Sequence, residues 1–233
     1  MYFGGYTLYL LISLPALLLG MWAQMKVRGA FNKYSRVQTS NGMTGAEIAR
    51  KILDANHLQN VKIEQTRGML SDHYDPRKKT LRLSPSVYQS NSIAAAGVAA
   101  HESGHAIQHR DSYAPLRIRS LMVPSVQIGS WLGPVIFFFG LLMAYDTLAW
   151  IGLGLFAATA VFALVTIPVE MDASNRAKAI LTSEGMMYGN EMAGINKVLD
   201  AAALTYVAGA IQAVSTLLYY GFMLFGSSNR RRS

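Results

Sequence analysis

The residues best placed to do chemistry are His101 and His105, four positions apart, with Glu102 directly after the first histidine. On a helix, side chains four residues apart project from the same face. Two neutral imidazoles at this spacing can bind one metal ion, each at about 2.1 Å from zinc. A carboxylate beside that ion could take a proton from water that the metal has made acidic. The pattern therefore predicts a Zn2+ site of the kind that a metal-dependent hydrolase needs, with Glu102 as the base.

The alternative is that both histidines are ordinary polar residues on an exposed helix face. The segment from Ser92 to about His109 is rich in alanine and begins with a plausible N-cap serine, so we expect the motif to lie on a helix. His109 continues the same stripe. However, eight residues of helix rise about 12 Å, whereas two ligands of one zinc ion lie about 3–4 Å apart. The spacing therefore excludes His109 as a further ligand of the same ion.

The composition favours a membrane protein. Of 233 residues, 52% are hydrophobic and only 15% are charged, whereas soluble domains have about 25% charged residues. The net charge of +8 comes from basic residues that cluster beside apolar runs. They are not interleaved with aromatic residues, as a nucleic-acid platform would require. The chain has no cysteine, which excludes disulfides and thiolate metal ligands.

Four apolar stretches are long enough to cross a bilayer as helices: residues 1–25, 120–145, 147–169 and 201–226. Lys26 and Arg28 follow the first stretch and Arg117 and Arg119 precede the second, which places the intervening segment in the cytoplasm and the N-terminus outside. Asp146 alone separates the second and third stretches, so they should form a tight hairpin. Four crossings would put the basic tail outside. Either the tail is an exception, or the last stretch re-enters or lies along the surface.

A catalytic zinc site usually has three protein ligands and one open position. Glu170 is the best third candidate, because it follows the third apolar stretch on the predicted cytoplasmic side, where the motif also lies. The alternative is a solvated acid at a membrane boundary. Asp172 lies roughly 200° further round a helix, so it should pair with Arg176 or orient a neighbour. The weaker candidates are His57, Asp146, Glu184, Glu191 and Asp200.

The segment before the motif predicts a small mixed fold. Thr44 and Glu47 form a capping-box pattern that opens a helix, and residues 61–64 resemble a short strand. Residues 71–83 should form two extended pieces joined by a turn at Asp75–Pro76. Residues 79–83 could form an edge strand that pairs with substrate backbone, or a plain scaffold hairpin. The candidate donors to a developing oxyanion, each of which could equally be structural, are His73, Tyr74 and Arg176.

Several motifs together resemble the YugP-like bacterial membrane zinc metallopeptidases and, more distantly, the HtpX-like membrane proteases. They are Ser71-Asp-His-Tyr-Asp-Pro-Arg, Leu81-Arg-Leu-Ser, Ser92-Ile-Ala-Ala, His101-Glu-Ser-Gly-His-Ala-Ile-Gln-His and Pro168-Val-Glu-Met-Asp-Ala-Ser. The resemblance covers about residues 26–220. It implies that His101, His105 and Glu170 are the zinc ligands and that Glu102 is the general base. HtpX-like chains usually carry an aspartate four residues after the ligand glutamate, where this chain has Ser174; Asp172 is the candidate substitute.

We therefore expect a mainly α membrane protein with about four transmembrane helices and a small cytoplasmic α+β zincin-like catalytic domain. The expected segments are an N-terminal transmembrane helix (1–25), a catalytic domain (26–119), a transmembrane hairpin (120–169), a helical segment with the third ligand (170–200), a fourth membrane helix (201–226) and a basic tail (227–233).

The expected function is that of a zinc-dependent endopeptidase in the bacterial cell membrane, with a multi-pass topology and an active site that faces the cytoplasm. Its expected partners are protein or peptide substrates and the lipid bilayer, but not nucleic acid. Accessory membrane proteins or further copies of the chain are also candidate partners, because Gly- and Ala-rich membrane helices can pack closely within or between chains. The alternatives are a non-catalytic zinc-binding adaptor and an intramembrane metalloprotease. Against the latter, the apolar run before His101 is only about eight residues long, well short of a span.

Overall fold

The computed structural model describes residues 3–68 and 71–232, which form mostly helices and one small sheet. In chain order the elements are α1 (Phe3–Tyr34), α2 (Gly45–Ala55), β1 (Lys62–Gln65), β2 (His73–Asp75), β3 (Thr80–Leu83), α3 (Pro85–Tyr88), α4 (Ile93–Arg110), α5 (Ala114–Leu142), α6 (Asp146–Ser183) and α7 (Gly189–Arg232). The first two residues of the expected N-terminal helix and the last residue of the expected basic tail lie outside the described residues.

Four helices are long and apolar enough to cross a membrane, and they confirm the expected helical membrane fold at that level. The candidate spans are Leu10–Tyr34, Ala114–Leu142, Asp146–Ser183 and Gly189–Gly226. The third and fourth continue without a break through the polar residues that flank them. Glu170 consequently lies inside α6.

The chain divides into two compact units. The apolar unit comprises Met1–Ala23, Ile118–Ile167 and Thr205–Ser233, and the motif unit comprises Gln24–Arg117 and Pro168–Leu204. The motif unit thus combines the two polar segments that sequence patterns place on the same side of the membrane. The six expected segments are a finer division and stay a prediction.

In the apolar unit, glycines let α5 and α6 approach closely. A Cβ atom added at Gly129 would lie 2.6 Å from the carbonyl oxygen of Leu155, and one at Gly133 would lie 2.8 Å from the amide nitrogen of Phe156. Both distances are too short for a side chain, so the hairpin depends on small residues at this contact. Large apolar side chains such as Leu121 and Trp131 are exposed, as expected of a surface that meets lipid.

In the motif unit, α2 is a short amphipathic helix with a complete capping box. The Thr44 side chain accepts from the amide of Glu47, and the Glu47 carboxylate accepts from the amide of Thr44. The expected helix start is therefore confirmed. Ile48, Ile52 and Leu53 are fully buried because they share one face of the helix, and they form a core with the sheet and α4.

The three-stranded sheet has the order β1–β3–β2, with β1 parallel and β2 antiparallel to β3. The two extended pieces joined after Asp75 are thereby confirmed as β2 and β3. Of the two alternatives for residues 79–83, the edge strand is wrong, because β3 pairs on both sides and is central, and the scaffold hairpin is confirmed, because β2 and β3 pair antiparallel. Leu81 and Leu83 explain the difference: both are fully buried, and a strand with buried apolar residues gains most from a central position.

The helix that carries the motif, α4, begins as expected. The Ser92 hydroxyl accepts from the amide of Ala95 and so caps the first turn. Ala95, Ala99 and Ala100 are fully buried, which shows that the alanine-rich turns pack inside the motif unit. A helix of 18 residues with this burial is a core element, and α4 is not among the candidate spans.

Candidate metal centre

The motif histidines lie one turn apart on the buried part of α4, as the sequence predicts. The His101 and His105 rings meet edge to face, with centroids 4.8 Å apart. Glu102 is 8% exposed and lies between them in the chain.

Glu170 on α6 meets both histidines. Its Oε2 atom lies 3.1 Å from Nε2 of His101 and 3.5 Å from Nε2 of His105, and the residue is 2% exposed. Within the described ranges 3–68 and 71–232, His101, His105 and Glu170 are the one group of three such side chains whose ligand atoms all lie within 4.8 Å of one another. The structure therefore brings the three predicted ligands together.

A glycine makes this approach of the two helices feasible. A Cβ atom added at Gly104 would lie 2.6 Å from the carbonyl oxygen of Ala173. That distance is shorter than any ordinary contact, so α4 and α6 can pack at this separation only when position 104 has no side chain. Gly104 lies between the two histidines in the chain, and Ala173 lies one turn after Glu170 on α6. The close packing therefore occurs where the ligands must meet.

The donor set fits zinc. Two imidazole nitrogens and one carboxylate oxygen are common ligands of catalytic zinc, and three protein ligands leave a position open for water or substrate. The contacts of 3.1 and 3.5 Å match the spacing of about 3–4 Å expected between ligands of one zinc ion. No thiolate is available, because the chain has no cysteine.

Electrostatics link His105 to the acidic groups of the site. Burial of the ring opposes protonation, but the hydrogen bond to Glu170 and the charges of Glu102 and Glu170 favour it, so the pKa of His105 is raised. The negative field that raises this pKa would equally favour a bound cation.

Each histidine ring is also held through its other nitrogen. Nδ1 of His101 lies 3.0 Å from the Ser174 hydroxyl, and Nδ1 of His105 lies 2.9 Å from Oε1 of Gln108. Both contacts leave Nε2 directed at Glu170. Such outer partners commonly set ring orientation and metal affinity.

Asp172 pairs with Arg176 as the helical spacing predicts, with Oδ2 at 2.6 Å from Nε. The same carboxylate oxygen accepts from the Gln108 amide at 2.8 Å, so Asp172 also orients a neighbour. The residue that contacts His101 is Ser174 rather than Asp172.

The other sequence candidates lie elsewhere. His109, which helix geometry excludes, bonds through Nδ1 to the hydroxyl of Tyr74 at 2.9 Å. Burial, followed by the charge of Asp75, raises the pKa of Tyr74 to about 12. The remaining weak candidates, His57, Asp146, Glu184, Glu191 and Asp200, are absent from the group of ligand atoms.

The three candidate oxyanion donors all have partners within the protein. His73 contacts the carbonyl of Ser71, Tyr74 contacts His109, and Arg176 bonds to Asp111 and Asp172. Their assignment to the oxyanion stays a prediction.

Gln108 and Ser174 are site residues that sequence reasoning did not select. Gln108 lies three residues after His105, so the helical spacing could have placed it on the same face. Ser174 lies four residues after Glu170 and is noticeable only as a departure from the HtpX-like pattern. Neither residue type is a usual metal ligand, and only the tertiary contacts show what each one touches.

Comparison with known proteins decides the family. Residues 9–225 match the family model described as "Putative neutral zinc metallopeptidase". The chain belongs to this family. It is also 48% identical over 213 residues to the "Putative membrane protease YugP" of Bacillus subtilis (strain 168), an alignment that covers 91% of this chain and 95% of the relative. No solved structure was found to match the chain. The resemblance based on sequence motifs is therefore confirmed at the level of the family.

Proposed function

We propose that this protein is a zinc-dependent endopeptidase that hydrolyses peptide bonds of protein substrates at the cytoplasmic face of the membrane. His101, His105 and Glu170 hold the metal, and Glu102 is the general base. The observation that carries the proposal is the convergence of the three ligand atoms within 4.8 Å of one another, with a buried carboxylate on the same helix. Membership of a zinc metallopeptidase family supports it.

The chemistry divides between the metal and the protein. When bound, zinc supplies a Lewis acid that polarises the scissile carbonyl and acidifies water. Glu102 takes a proton from the attacking water as its oxygen bonds to the carbonyl carbon. Glu102 then delivers that proton to the amide nitrogen as the carbon–nitrogen bond breaks, which yields a carboxylic acid and an amine. The 8% exposure of Glu102 favours this exchange, because few competing waters can reach the carboxylate.

The burial of α4 distinguishes this proposal from an intramembrane protease. The motif helix packs in the core of the motif unit with α2 and the sheet and is not a candidate span. Peptide bonds outside the hydrocarbon region are therefore the better substrates. The cytoplasmic orientation rests on basic residues that flank the apolar helices, among them Lys26, Arg28, Arg117 and Arg119.

The test compares the parent protein with a Glu102→Gln variant, both purified in detergent. We expect the parent to contain one zinc per chain and to cleave casein, or itself, in a reaction that a chelator stops and added zinc restores. Glu102→Gln should retain zinc, because none of the three ligands changes, and should lose cleavage by about 100-fold or more because the base is absent.

Two results would contradict the proposal. If Glu102→Gln cleaves casein like the parent, Glu102 is not the base. If the parent binds zinc but shows no chelator-sensitive cleavage, the protein is instead a non-catalytic zinc-binding adaptor. Glu64→Gln is a suitable control, since Glu64 lies on the exposed strand β1 and contacts Arg82 rather than the metal ligands.

A further inference from the structure

Gln108 is a buried residue whose side-chain nitrogen and oxygen both have hydrogen-bond partners. It is fully buried. Its Nε2 atom donates to the carbonyl of Val169 and to Oδ2 of Asp172, both at 2.8 Å. Its Oε1 atom lies 2.9 Å from Nδ1 of His105. Both amide hydrogens are thus used, and the oxygen faces the histidine.

The acceptors around Gln108 determine which way its amide points. A carbonyl oxygen and a carboxylate oxygen can only accept, so the NH2 group must face Val169 and Asp172. The reversed amide would place oxygen against oxygen at both contacts and leave a buried amino group facing the ring. Such unsatisfied buried groups are costly. The carbonyl oxygen of Gln108 therefore faces His105.

This orientation defines the tautomer of His105. Because Oε1 of Gln108 can only accept, it pairs with the neutral ring when Nδ1 carries the hydrogen, which leaves Nε2 free to bind a metal. The lone pair is then on Nε2, the atom 3.5 Å from Glu170 and directed into the group of ligands. The amide consequently selects the form of His105 that can bind a metal through Nε2.

Asp172, which accepts from the Gln108 amide, is itself held by further ion pairs. Asp172 is held by Arg176, and Arg176 in turn bonds to Asp111 at 2.5 Å. Asp111 is the C-cap residue of α4, so the chain of contacts returns to the helix that carries the histidines. His101 has no equivalent: the Ser174 hydroxyl can donate or accept, and its contact does not select a tautomer.

We infer that Gln108 is a positioning residue that holds His105 in the Nδ1–H tautomer and directs Nε2 at the metal, and that Asp172 acts through it. The inference rests on the proposed function, since it takes His105 to be a zinc ligand. Outer partners of metal-bound histidines typically change metal affinity by about 10–100-fold when removed. We expect a loss of this size when leucine replaces Gln108.

The variants separate hydrogen bonding from packing. Gln108→Leu fills a similar volume and removes all three hydrogen bonds. Gln108→Glu retains an acceptor for His105 but sets a carboxylate against Val169 and Asp172. Ser103→Ala is the matched control, because Ser103 is fully buried on the same helix and its hydroxyl bonds only to the carbonyl of Ala99 within that helix.

The full-length proteins are titrated with zinc against a competing chelator, and cobalt(II) spectra report the ligand geometry. We expect Gln108→Leu to bind zinc about 10–100-fold more weakly than the parent and to alter the cobalt absorption bands, Gln108→Glu to lose less affinity because it retains the acceptor for His105, and Ser103→Ala to stay within about two-fold. A parent-like affinity and spectrum for Gln108→Leu would overturn the inference while the proposed function stands. Failure of the parent itself to bind zinc would instead refute the proposed metal centre.

A second measurement needs no substitution and decides the matter if Gln108→Leu does not fold. Nitrogen-15 NMR of labelled histidines in the zinc-loaded parent shows which ring nitrogen of each histidine carries the hydrogen and which one binds zinc. We expect His105 to carry its hydrogen on Nδ1. A hydrogen on Nε2 would show that Gln108 does not set the tautomer and would overturn the inference.

Discussion

At the scale of single residues, the site depends on what each side chain can donate or accept. His101, His105 and Glu170 present their ligand atoms to one point, whereas Gln108 and Ser174 act on the far side of the rings. Glu102 differs from all of these because it neither joins the ligand group nor holds a ligand. Its proposed role as the base follows from being a buried carboxylate next in sequence to the first histidine.

Replacement of Glu170 by glutamine tests the third ligand. Glu170→Gln preserves the shape of the side chain but removes the negative charge and the preferred carboxylate ligand. We expect zinc affinity to fall by more than the roughly 10–100-fold caused by loss of an outer partner. Zinc competition titrations measure this effect.

Glu184→Gln is the control for Glu170→Gln, since Glu184 is an exposed acid directly after the end of the same helix. Equal zinc affinity in Glu170→Gln and the parent would contradict the assignment of Glu170 as a ligand.

At the scale of elements, the site depends on how closely α4 and α6 pack. Each helix is specified by its own sequence, but neither contains a full set of ligands. Gly104 lies opposite the backbone of Ala173, where any side chain on α4 would push the two helices apart. The candidate metal site is therefore a property of the helix pair rather than of the motif on α4.

Gly104→Ala tests this dependence. Alanine favours a helix by about 1 kcal/mol over glycine, but its methyl group would lie 2.6 Å from the carbonyl oxygen of Ala173. Backbone atoms cannot rotate away, so we expect a net destabilisation of about 1–3 kcal/mol. We also expect weaker zinc binding, because Glu170 moves away from the histidines with α6.

Thermal unfolding in detergent and zinc titration measure both effects of Gly104→Ala. Gly97→Ala is the matched control on the same helix: its methyl group would meet the side chain of Ile195 at 3.5 Å, an ordinary contact. If Gly104→Ala is as stable and binds zinc as tightly as Gly97→Ala, the close approach of α4 and α6 is not required for the site.

At the scale of the whole molecule, the chain separates an apolar unit from the motif unit that carries the candidate site. The motif unit is assembled from two segments, 24–117 and 168–204, with a pair of apolar helices between them in sequence. If both apolar helices cross the membrane, the chain returns to the side from which it started, and a later helix can supply the proposed third ligand.

The absence of cysteine makes the orientation testable. Single cysteines at exposed positions, Lys51→Cys in the motif unit and Met143→Cys between α5 and α6, can be labelled with a maleimide that does not cross membranes. In intact cells whose outer layers let the maleimide reach the cell membrane, we expect Met143→Cys to be labelled and Lys51→Cys to remain unlabelled. In lysed cells, both cysteines should be labelled. Labelling of Lys51→Cys in intact cells would place the candidate site outside.

The sequence by itself determined the features that depend on neighbouring residues. The spacing of His101 and His105, the capping box before α2 and the apolar stretches are local patterns, and the helices that they predict are present. The sequence also predicts Glu170 as the third ligand, because it follows an apolar stretch on the same predicted side as the motif, and this prediction depends on topology rather than on contact.

The tertiary structure alone decided which residues meet. The central position of β3 depends on partners from distant parts of the chain, so the local pattern could not distinguish it from an edge strand. The contact of Gln108 with Val169 and Asp172 spans more than 60 residues and has no signature in either segment. Local spacing determines which way a side chain points along its own helix, but only packing between helices determines what it points at.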